Sequence, residues 1–169
     1  MAVKRPGARR TYNARGATER ALKLVPPSGL VEDLVETVSV SASRQVTLIP
    51  YDLGRGEPTG LWIATAAADY IVYPVSASPA ERTAIICHEL SHILLRHEPE
   101  GEAARLSELA AVVAPDIDPS IAQRMLARHG YRQDVEVEAE ILATRLVARL
   151  STFAEQARVS QDTISDRLR

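Results

Sequence analysis

The stretch from Ser78 to His97 constrains this chain more than any other. Pro79 suits a first helical position, and Ser78 with Glu81 has the spacing of a capping box, so a helix starts here. Ile86, Leu90, Ile93 and Leu94 fall on one side of it, while Ile85 and Leu95 flank the other. A helix that is apolar nearly all round is buried. Yet this one carries His88-Glu89-Leu90-Ser91-His92, a match to H-E-x-x-H. His88 and His92, four residues apart, share a face and can point ring nitrogens at one metal ion. Glu89 stands beside them, placed to take a proton from a water that the ion activates. Buried polar side chains need partners, and a metal ion supplies them. The pattern points to a zinc-dependent peptidase or a close relative, with Glu89 as the catalytic base. Pro99 and Gly101 are expected to end the helix. His97 then falls on the far side from His88 and His92, as a helix-end residue.

A chain of 169 residues suits one domain with tails, and 46% apolar residues suffice for a core. Residues 1–24 carry seven basic side chains against Glu19, a charge of +6, which leaves about −8 on the remainder of a chain of net −2. The expected division is a basic arm over 1–24, a metallopeptidase-like domain over 25–157 and a polar tail over 158–169. A basic arm on an acidic body could touch nucleic acid or an acidic partner; a solvated tail is the simpler reading. Cys87 is the only cysteine, so no internal disulfide forms, which fits a reducing cytoplasm. The N-terminal stretch has no signal-peptide pattern, and no apolar run is long enough to span a membrane.

Residues 1–20 read as irregular. After Pro26-Pro27, Ser28 is a candidate N-cap, and Leu30, Val31, Leu34, Val35 and Val38 repeat at helical spacing, giving a helix over about 29–41. Three short strand-like runs follow: 46–51, 61–64 and 69–74, the last two close enough to form an antiparallel hairpin. Such a sheet either simply covers the metal-binding helix or offers an edge strand to an extended substrate. Helices are expected over 102–114 and 119–130. A long one over 134–157 has Val135, Leu142, Leu146, Leu150 and Phe153 on one stripe. The last dozen residues read as fraying.

Two histidines are one protein ligand short of a catalytic zinc site. The extension H-E-x-x-H-x-x-G-x-x-H fails, because Leu95 stands at the glycine position and Glu98 at the third histidine. The other common solution is a glutamate from a later helix, and Glu136, Glu138 and Glu140 offer themselves. With the stripe of large apolar residues taken as the inward face, Glu138 lies about 70° off it, Glu136 about 90° off on the other flank and Glu140 about 130° off. Glu138 is thus the first choice for the third ligand and Glu136 the reserve, with Glu140 solvated. Glu102, Glu108, Asp116 and His129 remain open on sequence grounds. Tyr70, Tyr73, His129 and Tyr131 could each donate to an oxyanion, and none is assigned that role. Cys87 points about 100° from His88 and reads as a small buried thiol.

Gly60-Leu61-Trp62-Ile63, Asp69-Tyr70-Ile71-Val72, the run from His88 to Leu95 and Glu136-Val137-Glu138-Ala139-Glu140-Ile141-Leu142-Ala143 together resemble the ImmA/IrrE family of bacterial and phage metallopeptidases. The resemblance covers about residues 28–150. The family's last motif runs approximately E-x-E-A-N-x-F-A with the glutamate before the alanine as metal ligand, which falls on Glu138. Glu140 replaces the usual asparagine and Leu142 the usual phenylalanine. The resemblance implies a cytoplasmic zinc-dependent protein acting on a helix-turn-helix repressor by cleavage or displacement; such families include phage and mobile-element antirepressors and toxin-like members. The expected fold is α+β and zincin-like, mainly helical, with a small, mostly antiparallel three-stranded sheet packed on the H-E-x-x-H helix. The expected metal ligands are His88, His92 and Glu138. Two other classes compete with the peptidase: a zinc-containing module that sequesters its partner without hydrolysis, and a DNA-binding regulator using the basic arm.

Overall fold

In a computed structural model the described residues are 14–52, 59–64, 68–97 and 133–167, with backbone alone at 14–15 and 161–167. The expected helices over 102–114 and 119–130 lie outside these residues. Four helices and three strands are seen among the described residues: α1 (Ala14–Leu22), α2 (Val31–Ala42), β1 (Gln45–Tyr51), β2 (Leu61–Ala64), β3 (Ala68–Pro74), α3 (Pro79–Leu95) and α4 (Gln133–Arg167). The fold is mixed α+β, as the sequence suggests. No helix among the described residues is long and apolar enough to cross a membrane.

The expected strands and hairpin are present. β2 pairs antiparallel with β3, with Trp62 opposite Ile71 and Ile63 opposite Tyr70. The sheet is not mostly antiparallel, however. Its order is β1-β3-β2, and β1 runs parallel to β3 over the longer pairing, from Gln45 opposite Ala68 to Tyr51 opposite Pro74. Once the hairpin occupies one side of β3, β1 must take the other. The segment from residue 52 to 60 is long enough to carry the chain across to the far edge. β3 is therefore the centre, and Ile71 and Val72 are fully buried.

Asp69, 3% exposed, fastens β2 and β3 to the turn that leads into β1. Its carboxylate accepts from Arg44 Nε at 2.6 Å and from Trp62 Nε1 at 3.0 Å, and Arg44 also donates to the Ala68 carbonyl at 2.9 Å. Arg44 sits in the turn between α2 and β1, so one buried carboxylate links that turn, β2 and β3.

α2 begins later than Ser28. Its N-cap is Leu30, Gly29 has a φ of +70°, and Ser28 Oγ instead accepts from the Leu30 N–H at 3.3 Å. Helix α3 starts as expected. The Glu81 N–H donates to Ser78 Oγ at 3.4 Å, and the Ser78 N–H donates to Glu81 Oε2 at 2.8 Å. The Ser78 hydroxyl, with the Ser78 backbone, holds the Glu81 carboxyl below the usual carboxylate range. An ion pair between Arg82 and Glu32 ties α3 to α2.

Two parts of the chain are more ordered than the sequence suggests. Residues 14–22 form α1, and Ala17 and Ala21, one helical turn apart, are buried in the core with Leu34, Ile86 and Leu146. Alanine faces contribute little to an apolar count, which is why this helix is inconspicuous in a basic stretch. At the other end, α4 continues to Arg167 as one helix. Its buried side is Ala139, Leu142, Ala143, Leu146 and Leu150, packed against α3.

Candidate metal centre

The α3–α4 packing brings three ligand-type side chains to one point. His88 Nε2 and His92 Nε2 lie 3.1 Å apart. Glu136 Oε2 lies 3.3 Å from the first and 3.9 Å from the second. His88, His92 and Glu136 together could hold a metal ion. An ion bonded at about 2.1 Å to tetrahedrally disposed nitrogen and oxygen ligands separates them by about 3.4 Å. The observed separations bracket that value, so the donor set fits a divalent ion such as zinc. His92 is fully buried, and burial first, then the neighbouring His88 and His97, lower its pKa to about 3. Its ring is thus neutral near pH 7, the state in which imidazole binds a metal.

The carboxylate that joins His88 and His92 in this cluster is that of Glu136, and not that of Glu138. Glu138 lies on the opposite flank of α4, with Oε2 3.6 Å from His97 Nε2. The angular choice goes astray because it centres the inward face on large residues. Ala139 and Ala143 are as buried as Leu142 and Leu146. The buried set of Ala139, Leu142, Ala143, Leu146 and Leu150 turns the middle of the stripe by roughly 25°, leaving Glu136 about 65° from it and Glu138 about 95°. Small residues at a helix contact also let the backbones approach, which shortens the reach that Glu136 needs. Glu140 is not idle either: its Oε2 lies 3.3 Å from His88 Nδ1. Glu102, Glu108, Asp116 and His129 lie outside the described residues.

His97 is the other departure. Helix α3 stops at Leu95, and Arg96 takes a left-handed conformation with φ 56° and ψ 42°. The His97 N–H then donates to the His92 carbonyl at 3.0 Å, and the turned chain brings His97 Nδ1 to 3.1 Å from His92 Nδ1. A helix continued to Pro99 would have pointed His97 away. Nothing in the residue type of Arg96 announces the reversal, since glycine or asparagine is the usual signal.

Glu89 is 7% exposed and sits between α3 and β2, where Gly60 leaves room for it. Burial first, and then the charge of Glu136, push its pKa up to about 8, while the Trp62 backbone N–H pulls the other way. Glu89 therefore adjoins the triad without being one of its members. Ser91 donates to the Cys87 carbonyl at 2.7 Å, and burial pushes the Cys87 thiol up to about 12, so that cysteine is an inert core residue.

Comparison with family models, with curated proteins and with solved structures gives no match to this chain.

Proposed function

We propose that this chain is a zinc-dependent peptidase of the ImmA/IrrE type with a zincin-like fold, cleaving a peptide bond in a cytoplasmic protein partner, a helix-turn-helix repressor, and so relieving repression. The observation that carries the reading is the convergence of His88, His92 and Glu136 within a few ångströms, with Glu89 at their side. The partner class rests on the family resemblance, and the lone, buried Cys87 is consistent with a reducing compartment.

A bound zinc ion supplies Lewis acidity and brings the pKa of a water toward ~7. The remaining chemistry belongs to this chain's own side chains. His88, His92 and Glu136 are the residues that would hold and orient the ion. Glu89 accepts a proton from the attacking water at its carboxylate and delivers it to the leaving nitrogen of the peptide. Burial serves that role: a carboxyl with an elevated pKa is a stronger base once ionised, and it can hold the proton between the two transfers. A cation close by draws that pKa back down toward neutrality.

Glu89→Gln tests the reading. It keeps size and hydrogen bonding but removes the base. The expected result is loss of partner cleavage by at least ~100-fold, with zinc content equal to wild type. Equal cleavage by both proteins would overturn the catalytic role. Equal partner release with no fragment from either would replace hydrolysis by sequestration.

A further inference from the structure

We infer that His97 and Glu138 form a relay that sets the tautomer and orientation of the His92 ring, acting as positioning residues for the metal centre. The inference rests on the metal-centre reading and goes beyond its ligands. Each ring nitrogen of His92 and His97 faces a polar neighbour. His92 Nε2 faces His88 and Glu136, and His92 Nδ1 faces His97 Nδ1 at 3.1 Å. His97 Nε2 faces the Glu138 carboxylate at 3.6 Å. The rings meet edge to face, with centroids 5.1 Å apart and planes at 70°.

Proton placement then has one consistent solution for neutral rings. A neutral imidazole carries one N–H. With the His97 proton on Nδ1, its Nε2 lone pair would face a carboxylate, a repulsive pairing in a site only 7% exposed on the His97 side chain. With it on Nε2, the N–H points at Glu138, and Nδ1 is left to accept from the His92 Nδ1–H. The His92 lone pair is thereby directed through Nε2 to the point shared with His88 and Glu136. A metal-bound histidine commonly donates its second N–H to a carboxylate or carbonyl. Here a second imidazole is inserted between the ligand and its carboxylate. The sequence spacing explains why it can be: the left-handed Arg96 folds His97 back under His92, and Glu138 lies on the α4 flank opposite Glu136 and Glu140.

The test uses the full chain and zinc alone. Zinc affinity is measured by competition with a chromophoric chelator for wild type, His97→Phe, His97→Gln, Glu138→Ala and His88→Ala. The His92 tautomer is read by long-range proton–nitrogen NMR of the metal-free protein. His97→Phe should lower affinity by about 10–100-fold. His97→Gln should restore most of it, because an amide oxygen can accept from His92 Nδ1–H. Wild type should show the Nδ1–H tautomer at His92, and Glu138→Ala a mixture of both. Wild-type affinity in His97→Phe, or a His92 tautomer unmoved by Glu138→Ala, would overturn the relay. Failure of the underlying reading looks different: wild type would bind zinc no better than His88→Ala. If His97→Phe does not fold, the glutamine variant and the NMR spectra still decide.

Discussion

The α-carbon of Gly60 faces the carboxylate of Glu89: a Cβ added at residue 60 would collide with Ile85 Cγ2 and stand 3.0 Å from Glu89 Oε1. The residue just before β2 thus lies close against α3 at the candidate base, and a glycine makes the approach possible. Gly60→Ala should push Ile85 and Glu89 off their rotamers, lowering stability by about 1–3 kcal/mol. The same variant should lose partner cleavage while retaining zinc, because the three atoms nearest the added methyl group belong to Ile85 and Glu89. Thermal melts, zinc content and a cleavage assay on one preparation check it. Full cleavage by a destabilised variant would separate the packing role from the positioning role.

Glu136 and Glu138 make the next comparison. Glu136 reaches His88 and His92, whereas Glu138 reaches His97. Glu136→Ala should reduce zinc affinity by more than the ~100-fold that loss of an outer partner reaches, and Glu138→Ala by ~10-fold or so. Chelator competition on the two variants decides it. The reverse ranking would return the third-ligand role to Glu138, where the sequence resemblance puts it.

These two glutamates also show where sequence reasoning stops. The helix carrying His88 and His92, its capping box, the three strands and the hairpin all follow from local rules, because each depends on residues within a turn or a strand of one another. Glu138 and Glu136 differ by which flank of α4 meets α3. That depends on the burial of Ala139 and Ala143, residues that are indifferent on a hydropathy scale. The parallel pairing of β1 with β3 is likewise a property of chain routing, not of the strands themselves. His97 was misplaced by a single backbone conformation at Arg96. Long-range and single-dihedral features are the ones periodicity cannot carry.

Two buried titratable groups give the metal-free protein a stability maximum in mild acid. The Glu89 pKa is raised from 4.5 to about 8, so the folded state binds this proton more tightly than the unfolded one. Its stabilisation is full below pH ~4.5 and is lost as pH rises toward ~8. The His92 pKa is lowered from 6.5 to about 3, so the folded state resists protonation there. That contribution is present above pH ~6.5 and is lost as pH falls toward ~3. The opposing slopes place the maximum near pH ~5–6. Glu89→Gln removes the alkaline limb, so its advantage over wild type should grow from pH 5 to pH 8 at ~1 kcal/mol per unit or less. Urea melts of the metal-free proteins across this range check it, and a constant difference would contradict the buried-carboxyl account.

Arg44 and Asp69 set the stability of the sheet that holds Glu89. Asp69 is 3% exposed and has its charge met by Arg44, with Trp62 Nε1 on the second oxygen. Arg44→Met removes the guanidinium and leaves a buried carboxylate facing one neutral donor. Breaking a buried pair costs about 3–5 kcal/mol, and partial exposure of the arginine side chain (30%) reduces the expectation to about 2–4 kcal/mol. Arg44→Met with Asp69→Leu should lose less than the sum of the two single changes, since the double variant strands no charge and removes only neutral hydrogen-bond partners, from Trp62 Nε1 and the Ala68 carbonyl. Because β2 carries both Trp62 and the backbone N–H that reaches Glu89, Arg44→Met should also loosen the base without touching a metal ligand. Denaturant melts of the four proteins give the coupling energy. Additive losses would show that the Arg44–Asp69 pair is incidental to the sheet.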